Sequence, residues 1–594
     1  MGDVLITAAP ARARVRRTAR AVRRTPRRWM FLLVAGWLVQ AALRAWFSRM
    51  QVVPLANPDE AAYLEAARIL AGGTASNFSN GTLYQGGYPL LLTPVYWFTS
   101  NSVIVYHAVM VINALVGATL MPLAYVACRR LGLGRRTAYA LSAVTALLPA
   151  GFFYTEYALS DAIFPVVVLA WLLCVHSLLT VTGRRQRYMA AVSSALLAGY
   201  AYAVHPRGVV IVVGYAAVLI LLAVRRLLPR ATTAAAGLTL LVTLGAAELL
   251  DRYISAVMYP EGARSLSGQA LSRLTHYRGQ VDVIEMAGGQ LWRLTTDSWG
   301  IGTIGLAAVV AAIFRRGVRP DVRIMATLAV FVTLAIAYIA PAALPANQPA
   351  TWASGRYIDC MTVVFFVVGA VVLLRARPAR ILRYAVAAVA LTALTAAIVA
   401  RYAGSPLPTS GFGAFTFGEP TVLAQGWTDN TSVLTATLVA LGLLAFWIAL
   451  VLVFRRLFPR PGWRALMLVP VLAMNLFAVT QMTTYISQAN TPIAKASSLG
   501  FVTETGLQPG DKVDIDNGLA PDWPAWIPQS YQVWWTPFEF FDAATTPPTG
   551  ATVVEVAWPS GKSAPASWPN APAGWHVVAS NQTYGWVAWH SPAS

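Results

Sequence analysis

Asn57–Gly73 reads NPDEAAYLEAARILAGG. The stretch carries start and stop signals for one short helix. Asn57 suits the cap, Pro58 the first helical position, and Glu60, three residues after the cap, completes a capping box. Gly72 and Gly73 suit a left-handed stop. Tyr63, Ala66, Ala67 and Leu70 form an apolar stripe, and Glu65 and Arg68 are neighbours on the helix surface. Asp59 and Glu60 put two carboxylates in the first turn. Complementarity to the helix dipole accounts for acids there. A polar site is the other reading, and the surrounding chain decides between them.

That helix follows a membrane-length apolar run, Trp29 to Phe47, and the whole chain is built in the same way. Of 594 residues, 57% are hydrophobic and 12% are charged, with a mean hydropathy of +0.56. Soluble domains carry about twice that charge. The sequence predicts an α-helical polytopic membrane protein. Apolar runs of spanning length, about 20 residues, fall near 29–48, 103–127, 137–153, 161–182, 188–204, 208–228, 232–250, 299–314, 322–344, 357–374, 381–400, 432–454 and 464–486. These are about 13 candidate transmembrane helices, and the pair around His205 is a candidate re-entrant segment.

The formal net charge of +21 would suggest nucleic acid in a soluble chain, but no motif for base or phosphate-backbone readout is present. The arginines lie between the apolar runs instead. Residues 1–28 form a basic arm suited to anionic lipid, with no cleavage site after the first run. Six further clusters begin with Arg129–Arg130 and Arg135–Arg136 and end with Arg455, Arg456, Arg460 and Arg464. All six fall in even-numbered connections. By the positive-inside rule the N-terminus and those connections are cytoplasmic, and the C-terminus is extracytoplasmic in a plasma membrane. The acids gather on the other side. Asp59, Glu60, Glu156, Asp161, Asp251, Glu261, Asp282, Glu285 and Asp297 all fall in or beside odd-numbered connections, whereas Asp321 is an inner exception. The first outer loop is 49–102, and 251–298 is also assigned to an outer loop.

Residues 29–487 thus form the membrane domain. Residues 488–594 change in character and are rich in Pro, Gly, Ser and Thr, with nine tryptophans from Trp523 to Trp589. Short β-like runs at Lys512–Ile515, Ala551–Ala557, His576–Ala579 and Trp586–His590 predict a small extracytoplasmic β or α/β domain. Its tryptophans fit an aromatic core or, alternatively, stacking on sugar rings. Cys128, Cys174 and Cys360 are scattered through apolar runs and read as packing residues rather than disulfide partners or zinc ligands.

Chemistry is therefore sought on the acidic side. Tyr154–Pro165, YTEYALSDAIFP, brings Glu156 and Asp161 to a span entrance. An ionised group there needs a partner or water, although Ser160 capping with Asp161 in the first turn explains it equally well. His205-Pro206-Arg207 occupies a very short connection. Arg207 and, in WASGRY, Arg356 are cations at the outer lipid level, suited to a lipid phosphate or to snorkelling, with Tyr357 beside Arg356. His205 suits a phosphate contact, proton transfer or a structural role. There is no HExxH, GxSxG, P-loop or Cys/His cluster.

DExxY after the first span, an S-D pair entering a later one and R-Y entering another together resemble the GT-C glycosyltransferases. The branch is the protein-mannosyltransferase-like and aminoarabinose-transferase-like one. The matching residues are Asp59, Glu60 and Tyr63, then Ser160 and Asp161, then Arg356 and Tyr357, over roughly Trp29–Arg375. The resemblance implies a GT-C-like membrane domain and a polyprenyl-phosphate sugar as donor, with a glycan, lipid or protein as acceptor, and no nucleic acid. It implies catalytic roles for Asp59, Glu60 and Asp161, with Asp59 as general base. Arg207, Arg356 and His205 would bind the donor phosphate, and Tyr63, Glu156 and Tyr357 would position substrate. Glu60 and Asp161 would place the acceptor or share a divalent metal; a cofactor is otherwise not implied. By analogy, an Ala- and Arg-rich chain suits an actinobacterial cell envelope and mannose or arabinofuranose as the sugar.

Two other classes would leave different marks on the sequence. A transporter or flippase predicts ionisable residues at mid-membrane depth and broken helices in two similar halves. A glycan-binding scaffold would use the Trp-rich domain but gives no reason for the acids around Asp59.

Overall fold

The computed structural model describes residues 27–75, 82–260, 262–263, 266–343, 352–409, 411–458, 462–492, 501–508, 511–519, 538–546, 548 and 550–592. Most of the basic arm (1–26), Glu261, Arg460, Trp523, Trp526, Trp534 and Trp535 lie outside the described residues.

Each of the thirteen apolar runs contains a helix. Among the described residues, seven helices are long and apolar enough to cross a membrane, or up to nine if each of two bent pairs is one span. Phe164–Thr180 and Gly208–Val224 are shorter apolar helices. Large apolar side chains such as Phe31, Leu241 and Leu249 point outward, as a lipid-facing surface requires. The segments around His205 are two helices, Arg184–Val204 and Gly208–Val224, joined by a tight connection.

The bends have local causes. Arg135–Ala146 and Pro149–Glu156 meet at 75°, where Pro149 removes a backbone donor. Tyr277–Thr296 and Ile301–Phe314 meet at 115°, where Trp299 (φ 55°) and Gly300 (φ 78°) take left-handed backbone. This second bend closes the segment 251–298, expected to lie outside. Its charged residues hide a long helix, which buries Val283, Met286, Gln290, Trp292 and Arg293.

Helix contacts use small residues as they do in membranes generally. Ile301–Phe314 and Asp359–Arg375 approach so closely that a Cβ on Gly305 would sit 2.0 Å from the Phe365 carbonyl oxygen. At the arginine-rich end, cations bond across helices. Arg375 donates to the Leu131 carbonyl at 2.8 Å and Arg455 to those of Leu373 and Ala376 at 2.5 Å. Arg130 reaches the Leu173 carbonyl at 2.5 Å. Four of the arginine clusters or their neighbouring segments thus meet at one end of the bundle.

The quoted helix runs from Asp59 to Leu70. It stops as expected, because Gly72 is left-handed (φ 93°) and the Gly72 and Gly73 N–H groups donate to Ile69 and Arg68 carbonyls at 2.9 Å. It starts differently. Pro58 stands at the cap position with no side-chain cap bond, and the Asn57 amide donates instead toward the Pro54 carbonyl at 3.4 Å. Glu60 does the capping work, reaching back to the preceding backbone.

The C-terminal region forms a mixed five-stranded sheet in the spatial order Phe538–Phe541, Val513–Asp516, Val553–Ala557, Trp586–His590 and His576–Asn581. The first three are parallel and the last two pairings antiparallel. Trp568, Trp586 and Trp589 are buried in it, which gives these three a packing role. One face of the sheet joins Phe501 and Ala61 in a single apolar cluster, so the sheet packs on the helix that carries Asp59. The last apolar helix runs on to Pro492, past the expected boundary at 488.

Candidate functional site

Four segments distant in sequence converge beside the first turn of Asp59–Leu70. Asp59 Oδ1 accepts from the Tyr84 hydroxyl at 2.6 Å. Its Oδ2 accepts from Arg356 Nη2 at 2.5 Å. Arg356 Nε lies 3.9 Å from Asp161 Oδ2, so one guanidinium spans both acids. Asp161 Oδ1 accepts in turn from Arg207 Nη2. The result is an alternating row of charges, Asp59, Arg356, Asp161 and Arg207.

The two ends of the row differ. The side chains of Arg356 and Asp59 are 17% and 18% exposed, whereas those of Arg207 and Asp161 are 3% and 6% exposed. Burial alone would raise the Asp161 carboxyl. Arg207 and Arg356 outweigh it and hold the group below its ordinary 3.8. Arg207 is committed on several sides. Its Nη1 donates to the carbonyls of Arg356 and Tyr357 at 2.7 and 2.9 Å, and its Nε to His205 Nδ1 at 3.1 Å. The Arg207 N–H also reaches His205 Nδ1, at 3.1 Å. Since Nδ1 accepts, the imidazole is neutral; burial and the Arg207 charge push its pKa well below 6.5. Arg207 and His205 therefore brace the turn Gly355–Tyr357 from below. The Tyr357 ring lies 5.5 Å from both guanidinium carbons.

Tyr63 lies on the same helix face as Asp59. Its hydroxyl is 2.8 Å from Ser160 Oγ, and its ring packs edge-on against Tyr84 and Tyr88 at 5.2 and 5.3 Å.

Glu60 turns away into the core. Oε1 accepts from the Leu55 and Ala56 N–H groups at 2.7 and 2.6 Å, and Oε2 from the Tyr106 hydroxyl and Ala158 N–H at 2.5 and 2.6 Å. Burial pushes this carboxyl up, and the four donors pull it back. Each oxygen already has two donors, and Asp161 is filled by guanidinium groups. Glu60 and Asp161, expected to place the acceptor or share a metal, thus have separate sets of protein partners.

Glu156 has a different set of partners, Thr483 Oγ1 at 2.5 Å, Ser487 Oγ at 2.9 Å and Gln51 Nε2 at 3.2 Å. It ties Gln51, just after the first helical segments, to the π-helical turn Thr483–Gln488. Tyr84 was missed by sequence because it follows no periodic pattern. Also missed were Asp359 and Glu419, which join Asp297 as three buried carboxylates with one ligand oxygen each within 4.8 Å. Asp359 had a signal, an acid three residues beyond Arg356 at the mouth of an apolar run.

No protein-family model and no curated protein sequence matches this chain. Solved structures do. The chain is similar to ArnT from Cupriavidus metallidurans bound to undecaprenyl phosphate, at 16% identity and a TM-score of 0.52, covering 96% of this chain and 99% of that one. It is also similar to the apo state of ArnT, at 16% identity and a TM-score of 0.49, with 94% and 97% covered. A third is the arabinosyltransferase EmbB from Mycobacterium smegmatis, at 15% identity and a TM-score of 0.42, with 79% and 42% covered. Nearly end to end, the chain has the fold of the lipid-bound ArnT structure, the GT-C fold expected from its motifs.

Proposed function

We propose that this chain is a membrane glycosyltransferase that moves a sugar from a polyprenyl-phosphate donor to an acceptor hydroxyl on the extracytoplasmic face. The observation that carries the reading is the guanidinium of Arg356 set between Asp59 and Asp161. The undecaprenyl phosphate bound in the similar ArnT structure supports the donor class. The arginine clusters joined at one end of the bundle support the sidedness, because that end suits the cytosol.

Asp59 is the more exposed acid and takes the general-base role. It removes the proton from the acceptor hydroxyl as that oxygen attacks the anomeric carbon. The bond from that carbon to the phosphate oxygen breaks, and polyprenyl phosphate leaves with the electron pair. One displacement of this kind inverts the anomeric centre. Arg356 balances the charge that builds on the leaving phosphate. Arg356 is paired with Asp59 before donor arrives, so an incoming phosphate competes for it and frees the base as it binds. Asp161, Arg207 and neutral His205 hold Arg356 and Tyr357 in place. Tyr63 and Tyr84 shape the wall beside Asp59. Glu60 fixes the start of the helix, and Glu156 supports the bundle. The acceptor is a glycan, lipid or protein, with mannose or arabinofuranose as the sugar by analogy.

Mass spectrometry of lipids and envelope glycans in a strain lacking the chain tests this. A polyprenyl-phosphate sugar should accumulate while one glycan loses a residue. Unchanged lipid and glycan pools would overturn the reading.

A further inference from the structure

Behind the turn that carries Arg356 lies the second group of acids. Asp297 stands at the bend after Tyr277–Thr296, Asp359 opens Asp359–Arg375, and Glu419 is in the first turn of Gly418–Ala424. All three are buried, at 0%, 2% and 0% exposure. Arg293 answers part of their charge, with Nε 3.0 Å from Asp297 Oδ2 and Nη2 2.5 Å from Glu419 Oε2. Thr296 Oγ1 donates to Asp297 Oδ1 at 2.9 Å. Both oxygens of Asp359 and Oε1 of Glu419 have no hydrogen-bond partner.

Three carboxylates against one guanidinium leave two uncompensated negative charges if all ionise, in a place sealed from water. Such a group must gain protons or a cation. Two charges are answered either by two protons on separate acids or by one divalent ion, and only the ion meets the unpartnered oxygens of Asp359 and Glu419 together with the third acid alongside. The donor atoms are all carboxylate oxygens, with no His or Cys among them. That set suits a hard divalent ion rather than zinc.

We infer that Asp297, Asp359 and Glu419 hold one divalent cation of the magnesium, calcium or manganese class. Its position links it to the turn Gly355–Tyr357. A Cβ on Gly355 would lie 2.3 Å from Arg293 Nη2 and 2.6 Å from Asp297 Oδ2, so the turn rests directly on this cluster. Asp359 follows Arg356 by three residues. A cation that fixes Asp359 therefore fixes the backbone from which Arg356 reaches Asp59. This positioning role rests on the proposed function; the cation site itself does not.

The test uses full-length protein in detergent, stripped with a chelator and titrated with Mn2+ as the probe, read by electron paramagnetic resonance. Wild type should bind one Mn2+ per chain, displaced by Mg2+ or Ca2+, and Asp59→Asn should bind it equally. Asp359→Asn and Glu419→Gln should each weaken binding by at least about tenfold, the loss seen even when only a supporting residue is changed. Absence of Mn2+ binding by folded wild type, with no Mg2+ or Ca2+ retained on elemental analysis, would overturn the inference. So would folded Asp359→Asn or Glu419→Gln binding as wild type does. Sugar transfer is not part of the readout, so failure here is separable from failure of the glycosyltransferase reading.

Discussion

Arg356 Nη2 donates to Asp59 Oδ2 at 2.5 Å across 297 positions of sequence. The pair closes a site whose other members come from the entrance to Phe164–Thr180 and from the connection at His205–Arg207. A base and a phosphate-binding cation that neutralise each other at rest suit a reaction in which substrate separates them.

Replacing Arg356 by Ala removes the cation proposed to meet the leaving phosphate. A charged hydrogen bond contributes about 1.5–3 kcal/mol, so affinity for undecaprenyl phosphate should fall roughly 10- to 100-fold. Acceptor affinity should change much less. Fluorescence or calorimetric titration with the lipid phosphate checks this, and equal lipid affinity in the variant would count against the role.

Asp161→Asn strands Arg207 inside the protein. Removing one member of a buried ion pair costs about 3–5 kcal/mol, which thermal melting in detergent should register. The pH dependence has a definite sign. The folded carboxyl lies below 3.8, so its contribution is complete above the unfolded value and is lost as pH falls through the lower folded one. The gap in Tm between wild type and variant should be flat above about pH 5 and close only below about pH 4. A gap that closed near neutrality would contradict the assignment.

Glu60→Gln tests whether this acid is structural. Glutamine offers one acceptor oxygen and an amide to a site with four donors. Buried donors left unmatched cost about 1–3 kcal/mol each, so the variant should melt several degrees lower. Unaltered Tm with abolished transfer would make Glu60 catalytic.

His205 accepts from Arg207 in its neutral form. His205→Gln, which keeps an acceptor, should preserve the pH–rate profile between about pH 6 and pH 8. Loss of an inflection near pH 6.5 in that variant would show that the imidazole titrates during turnover.

The helices were legible because apolar runs are long and the arginines punctuate them. The number that crosses was less so. Tyr277–Thr296 carries Arg278, Asp282, Glu285 and Arg293, and hydropathy alone reads such a segment as a loop. Asp161, Arg207, Arg356 and Tyr357 could be grouped from the chain because each is a polar residue where an apolar run begins or ends, and Asp59 because it opens a capped helix just after the first run. Glu60 shares the helix start with Asp59 but turns inward, a direction set by the backbone N–H groups of Leu55 and Ala56. Glu419 opens a seven-residue helix too short to show a periodic pattern, and only the folding of three remote segments brings it beside Asp297 and Asp359.

The most direct measurement is complementation of a strain lacking the chain by Asp59→Asn, with membrane levels matched to wild type and the envelope glycan read by mass spectrometry. The variant should insert normally and leave the glycan incomplete, with the polyprenyl-phosphate sugar still accumulated. Full restoration of the glycan by Asp59→Asn would remove the proposed base from the reaction and contradict the account.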